Sequence, residues 1–332
     1  MTKNDRYLIL VYWLTIFFML TAFTPQSHGQ SNSLPDSDTW CMGRYLIDLP
    51  KGTKVEAEYI TKGSKVFTYT GISIQQFRDT IAARRQSLKE MQHQNGGVML
   101  VDTDIITDDY ITLVSWASDA SKRLYKYETF QYMEQHQVLY IFSGLGTADE
   151  NQRNRAASIQ RSSRGELRYR TQMEIPKEAG FCINEGLIMT SNLNQEEYTA
   201  VMRLPNQSDV VIYLESYVTN NPGDFSNQQT TPLHLEIDNY FQIKTLRNRK
   251  RDIDGAKGRE YLTRSRYKQN GKYHYQFEWK TQGKKGAINY PYMRFTLRTV
   301  DDTKANYLFS SDEDALEFWE SILSSLRLRT RA

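Results

Sequence analysis

The residue types in this chain that carry out chemistry are present, but none falls at the spacing that chemistry requires. A nucleophile elbow needs Gly-x-Ser-x-Gly, because glycines on both sides let the serine sit on a strained strand-to-helix turn. Phe142-Ser143-Gly144-Leu145-Gly146 lacks the first glycine. A P-loop needs a glycine five residues before its lysine and a hydroxyl after it, and Gly271-Lys272 has neither. There is no His-Glu-x-x-His pair and no cysteine pair at zinc spacing. His93, His136, His234 and His274 stand apart, so each reads as an ordinary surface or core histidine. Asp102, Asp104, Asp108 and Asp109 gather enough carboxylates to attract calcium. The run lacks the EF-hand spacing and its terminal glutamate, and reads as a solvated acidic turn. No catalytic residue, metal or cofactor is assigned, which points to binding rather than catalysis. The alternative is an exported enzyme or small-ligand binding protein whose site is assembled from distant residues, since such sites leave no local motif.

Two features carry more. Cys41 and Cys182 are the only cysteines. In an oxidising compartment an even count suggests one disulfide across a long loop, and the other reading is two separately buried thiols. Residues 247–251 form a basic run in which Arg247, Arg249, Lys250 and Arg251 are the candidate contacts for an acidic partner or a phosphate. The other reading of that run is a solvated loop.

The N-terminus speaks to compartment. Lys3 and Arg6 precede an apolar run over 8–20, and Ser27 and Gly29 sit where a signal peptidase reads small residues. Residues 1–29 therefore read as a cleaved secretory signal, with a retained N-terminal anchor as the alternative. No cysteine follows the run to carry a lipid. Net charge is +3, and near neutral without the signal, which argues against nucleic acid or an anionic membrane as main partner. Contact with a membrane is expected only transiently, through the signal segment.

With 332 residues the chain exceeds what one core usually organises, so two domains are expected. Residues 30–39, rich in Ser, Asn, Asp and Pro, read as a flexible leader. Strands are predicted at 44–49, 55–60 and 65–70, then an amphipathic helix over 74–91 with Ile74, Phe77, Ile81, Leu88 and Met91 on one face. Further strands follow at 111–117, 124–133 and 137–143, then a polar helix over 149–167. The second half offers strands at 181–190, 198–204 and 210–218, a polar loop over 220–231 and a weak helix over 235–246. It continues with a hairpin of 260–267 and 273–280 across Asn270-Gly271, and a strand at 292–300. A helix over 311–328 closes it, capped by Ser311 with Leu316, Trp319, Leu323 and Leu326 inward. Runs of antiparallel strands with segregated helices indicate an α+β fold. The reading is two related domains, 40–172 and 173–332, each an antiparallel sheet with its helices.

The segments around the cysteines are the most distinctive text. Trp40-Cys41-Met42-Gly43-Arg44-Tyr45-Leu46-Ile47-Asp48-Leu49-Pro50 opens the first half. Gly180-Phe181-Cys182-Ile183-Asn184-Glu185-Gly186-Leu187-Ile188 opens the second. With Gly255-Ala256-Lys257-Gly258-Arg259-Glu260-Tyr261 late in the chain, they resemble the Tli4 family over most of the mature chain. The resemblance implies a periplasmic immunity protein whose partner is a type VI-secreted phospholipase effector. It further implies a two-domain clamp that grips the lipase and holds its active-site cover in place, with no chemistry of its own. No family contact residue is carried over by motif.

Overall fold

The computed structural model describes residues 36–151, 153, 154, 164–189, 195–220, 243–266, 273–300 and 308–329. The expected signal, most of the leader, the 220–231 loop from 221 on and the Asn270-Gly271 turn lie outside them. So do residues 235–242 of the expected helix and most of the polar helix over 149–167.

In the first half the chain runs through β1 (Ser37–Met42), β2 (Tyr45–Pro50), β3 (Lys54–Thr61), β4 (Ser64–Thr70) and helix α1 (Ile74–Glu90). Strands β5 (Leu100–Thr107), β6 (Tyr110–Trp116), β7 (Leu124–Met133), β8 (Val138–Thr147) and β9 (Leu167–Tyr169) follow. The second half holds β10 (Phe181–Ile183), β11 (Gly186–Ile188), β12 (Glu196–Arg203) and β13 (Val210–Tyr217). It ends with β14 (Lys244–Lys250), β15 (Gly258–Arg266), β16 (Tyr273–Thr281), β17 (Tyr292–Thr299), helix α2 (Asp312–Ser325) and β18 (Arg327–Leu328).

One antiparallel sheet dominates, in the order β14-β15-β16-β17-β13-β12-β3-β4-β8-β7-β6-β5. Each half contributes six strands in the same connectivity: a hairpin, β3–β4 or β12–β13, whose second strand pairs with the last of the next four. The α+β reading with two related halves holds, and the tertiary structure adds that their sheets are one. The halves join where β3 pairs with β12 from Lys54↔Arg203 to Thr61↔Glu196.

Two small sheets, β1-β2-β18 and β10-β11-β9, interlock the halves. β9 ends the first half and pairs with β11, while β18 ends the second and pairs with β2. Each half thus completes the other's opening hairpin.

Helix α1 begins at Ser73, whose hydroxyl accepts from the Gln76 N–H while the Gln76 side chain accepts from the Ser73 N–H. This reciprocal cap satisfies two donors that a helix start otherwise leaves open. Phe77, Ile81 and Leu88, at helical spacing, are its buried residues, and Phe77 stacks on Tyr132 of β7 at 4.9 Å. Helix α2 is capped by Ser311, and Asp312, Glu313 and Asp314 suit its positive end. Trp319 sits fully buried between Phe277 (5.7 Å) and Phe295 (5.4 Å), and truncating such a residue costs about 3–5 kcal/mol.

The two layers of packing lie on opposite faces. Successive residues of β8 show it: Leu139 belongs to the core under α1, and Tyr140 to the larger core that holds α2 and both small hairpins. Alternation of side chains along a strand makes this possible.

Five local expectations change. Residues 37–39 are strand, not leader, because β1 pairs with β2 from Ser37 on. Residues 181–188, expected to lie in one strand, are a hairpin, since Glu185 takes a left-handed φ of 53° and turns the chain back. Leu167, the last residue of the expected polar helix, opens strand β9, and α2 stops at Ser325, leaving Arg327 and Leu328 to pair with β2. Residues 244–246 belong to strand β14, where hydrogen bonding to β15 overrides a weak helical pattern. Among the described residues no helix is long and apolar enough to cross a membrane.

Candidate protein-binding framework

The seam between the halves gathers residues that are far apart in sequence. Cys41 on β1 and Cys182 on β10 form a disulfide, 141 residues apart in sequence and essentially without solvent exposure. Beside it Gly43 and Cys182 exchange backbone hydrogen bonds of 3.0 and 2.7 Å. Gly43 has a φ of 57°, and a Cβ there would lie 2.6 Å from the Tyr198 ring. Only glycine meets both demands.

Next to this bridge Arg44 and Glu196 form a buried two-pronged pair, with Nε and Nη2 donating at 2.7 and 2.6 Å. Burial pushes the Glu196 carboxyl above its ordinary range, against the pull of the Arg44 hydrogen bonds and charge. Charges removed from water are tolerated only when paired and hydrogen-bonded. Tyr198 completes a cluster with Tyr59 and Phe181, at centroid distances of 6.0–6.3 Å. The crevice between Arg44, Glu196, Tyr198, Ser216 and Pro291 has a cavity volume of about 10 Å³, the space of roughly one water.

Two more arginines tie loops to the seam. Arg170 is fully buried and donates to six backbone carbonyls, among them Cys41 (3.2 Å), Ile183 (3.0 Å) and Gly186 (3.1 Å). Burial lowers its pKa from the usual arginine value. Arg329 donates to the carbonyls of Pro176, Glu178 and Gly180. Its pKa is lowered to about 10, by burial first and then by the charges of Arg44 and Arg170.

The basic run 247–251 is not a loop. Four of its five residues lie on β14, whose pairing with β15 splits them between two faces. Arg247, Arg249 and Arg251 all reach Glu260, which is fully buried, and also Glu320 on α2. Burial pushes the Glu260 carboxyl up, but hydrogen bonds from Arg251, Trp319 and Arg249, with the Arg251 charge, outweigh it and hold its pKa below the ordinary value. The three arginines thus anchor α2 to the sheet, while Lys250 alternates to the other face.

The remaining candidates for chemistry do not converge. Asp102 pairs with Arg153 and Asp109 accepts from Thr107. His93 is buried with its Nδ1 accepting from the Asn95 N–H, and His136 stacks on Tyr169 at 3.8 Å. His234 lies outside the described residues. Among the described residues no group of three or more His, Cys, Asp or Glu side chains could hold a metal. Arg44 and Glu196 carry no local motif, because they meet across 152 residues, whereas Arg170 and Arg329 stand in a repeated Leu-Arg-x-Arg-Thr text, 167–171 and 326–330, that was a sequence signal.

Residues 38–175 match the Tle cognate immunity protein 4 N-terminal domain, and residues 174–331 match the corresponding C-terminal domain. The chain belongs to the Tle cognate immunity protein 4 family. No curated protein matches it. Solved structures that share the fold of this family member include three at 24% identity. The apo structure of the immunity protein TplEi of the type VI secretion system from Pseudomonas aeruginosa has a TM-score of 0.76, covering 91% of this chain and all of that one. The crystal structure of a Tle4-Tli4 complex gives 0.77, covering 90% and 99%. TplEi complexed with an "L" peptide gives 0.70, covering 89% and 98%. At this identity the likenesses speak to the fold. Membership of an immunity-protein family points to a role in binding another protein rather than in catalysis.

Proposed function

We propose that this chain is a periplasmic immunity protein that binds a type VI-secreted phospholipase effector one-to-one and keeps the producing cell from poisoning itself. The observation that carries the reading is the family match across both halves, 38–331. A complex named for Tle4 and Tli4 among proteins of this fold supports a lipase effector as partner. Export by a cleaved segment, residues 1–29, would deliver the chain to that compartment, and the Cys41–Cys182 disulfide suits an oxidising one. The two functional halves divide near 172/173.

The mechanism is preformed grip. The β3–β12 ladder, the exchanged strands, the disulfide and the Arg44–Glu196 pair all cross between halves, which leaves no hinge for them to close about. A surface already rigid before binding loses little conformational entropy on association. No acid, base or nucleophile is needed, because inhibition is occupancy of the effector surface.

The test is purification of residues 30–332 with the candidate lipase and titration of phospholipase activity. Activity should vanish at one equivalent, with a co-eluting complex. Full activity at excess, without co-elution, would remove the reading.

A further inference from the structure

The two halves place a sheet surface at equivalent positions and fill it with opposite chemistry. In the first half, β5–β8 carry Leu113, Phe130, Tyr132 and Leu139 on one face, and α1 buries them. In the second half, the equivalent strands β14–β17 carry charged and polar residues on that face. Register aligns Lys250 with Arg259, Arg259 with Lys280 and Lys280 with Arg294, one residue from each of four adjacent strands. With strands about 4.8 Å apart, the four cations form a row roughly 14 Å long.

The row is only partly neutralised. Glu278 pairs with Arg294 at 2.8 Å and Lys280 at 3.6 Å. Arg259 ends on the neutral Asn248 amide, at 2.6 and 3.0 Å. Beyond Arg294 the row meets Glu215 on β13, which confines the cationic stretch to β14–β17. Lys250 and Arg259 are exposed, and Tyr261 and the exposed Tyr213 flank the row in the next register line. Tyrosine and arginine together are the usual anchors of a protein interface.

We propose that this row is a docking surface for an acidic segment of the effector lipase, one that presents several carboxylates at about strand spacing. The assignment rests on the immunity reading and names the face that makes contact. Regularly spaced cations on a flat sheet fit an extended or helical acidic element, and such complementarity sets both encounter rate and register.

The test compares wild-type chain, Lys250→Glu/Arg259→Glu and Lys250→Gln/Arg259→Gln for binding to the cognate lipase at low and high salt. Unfolding midpoints for all three establish that the variants fold. Lys177→Glu, an exposed lysine in the loop before β10, serves as the control reversal. We expect the Glu pair to weaken binding by about tenfold or more at low salt, the Gln pair by less, and the control not at all. Both variants should also show a shallower salt dependence. Unchanged affinity and salt dependence in a folded Glu pair, against a binding wild type, overturns the docking surface alone. A wild type that does not bind the lipase overturns both this proposal and the immunity reading.

Discussion

Arg170 and Arg329 occupy matching places in the two halves, each just past the strand that completes the other half's hairpin. The Arg170 N–H donates to the Glu185 carbonyl at 3.1 Å, and the Arg329 N–H donates to the Arg44 carbonyl at 2.9 Å. Glu185 and Arg44 are themselves matching turn residues, one in each opening hairpin. Each guanidinium then gathers loop carbonyls that would otherwise be left without donors. The interlock is therefore a repeated device, built twice on the same Leu-Arg-x-Arg-Thr text at 167–171 and 326–330.

Replacing Arg170 by Ala strands several buried carbonyls and should cost about 3 kcal/mol or more in chemical denaturation. Arg170→Lys keeps the charge but loses the planar fork of donors, and should recover less than half of that. Near-wild-type stability of the Lys variant would show that charge alone suffices.

Glu260 links acid sensitivity to the anchoring of α2. Its folded-state pKa lies below the ordinary carboxylate value, so the stability it contributes is complete above about pH 4.3, the unfolded-state value. That contribution is lost as pH falls through the folded value. Glu260→Gln should therefore destabilise the protein at pH 7, with the gap to wild type closing below about pH 4. A gap independent of pH would mean that shape, not charge, holds the arginines.

The disulfide closes a loop of more than a hundred residues, for which the chain-entropy model gives about 5 kcal/mol as an upper figure. Cys41→Ser/Cys182→Ser should lower the unfolding free energy by a few kcal/mol, measured by urea titration. Reductant should then shift the wild type and leave the variant unmoved.

Neither half should fold alone. A fragment ending at residue 175 loses the β12 ladder, strand β18, the disulfide partner and Glu196, leaving Arg44 buried without its carboxylate. Circular dichroism and hydrogen exchange on fragments 36–175 and 174–332 should show no native-like protection, and the whole chain should unfold in one transition. A folded, protected fragment would sink the interlock as the basis of rigidity.

The sequence carried the local elements well wherever a period was strong. Ser311 with its acidic first turn marked α2, and the spacing of Ile74, Phe77, Ile81 and Leu88 marked α1, because caps and helical spacing are properties of neighbouring residues. Alternation in 198–204 and 210–218 marked β12 and β13 for the same reason. The segments around Cys41 and Cys182 pointed to the family through their own text.

What residues 247–251 do was not legible. In sequence they are five consecutive residues with four positive charges, and a solvated loop is the local reading. Pairing with β15 alternates their side chains, sending Arg247 and Arg249 to Glu260 and Lys250 to the opposite face. Strand register is set by partners distant in the chain, and one residue of slip would exchange the faces.

By itself, then, the sequence determined helices, strands, the α+β class and the family, all of which rest on short-range pattern. Only the tertiary structure decided that the two halves share one sheet, exchange their last strands and bury Arg44 against Glu196. Those facts depend on which strand edges meet, and an edge of backbone N–H and C=O groups looks alike in every strand until packing selects its neighbour.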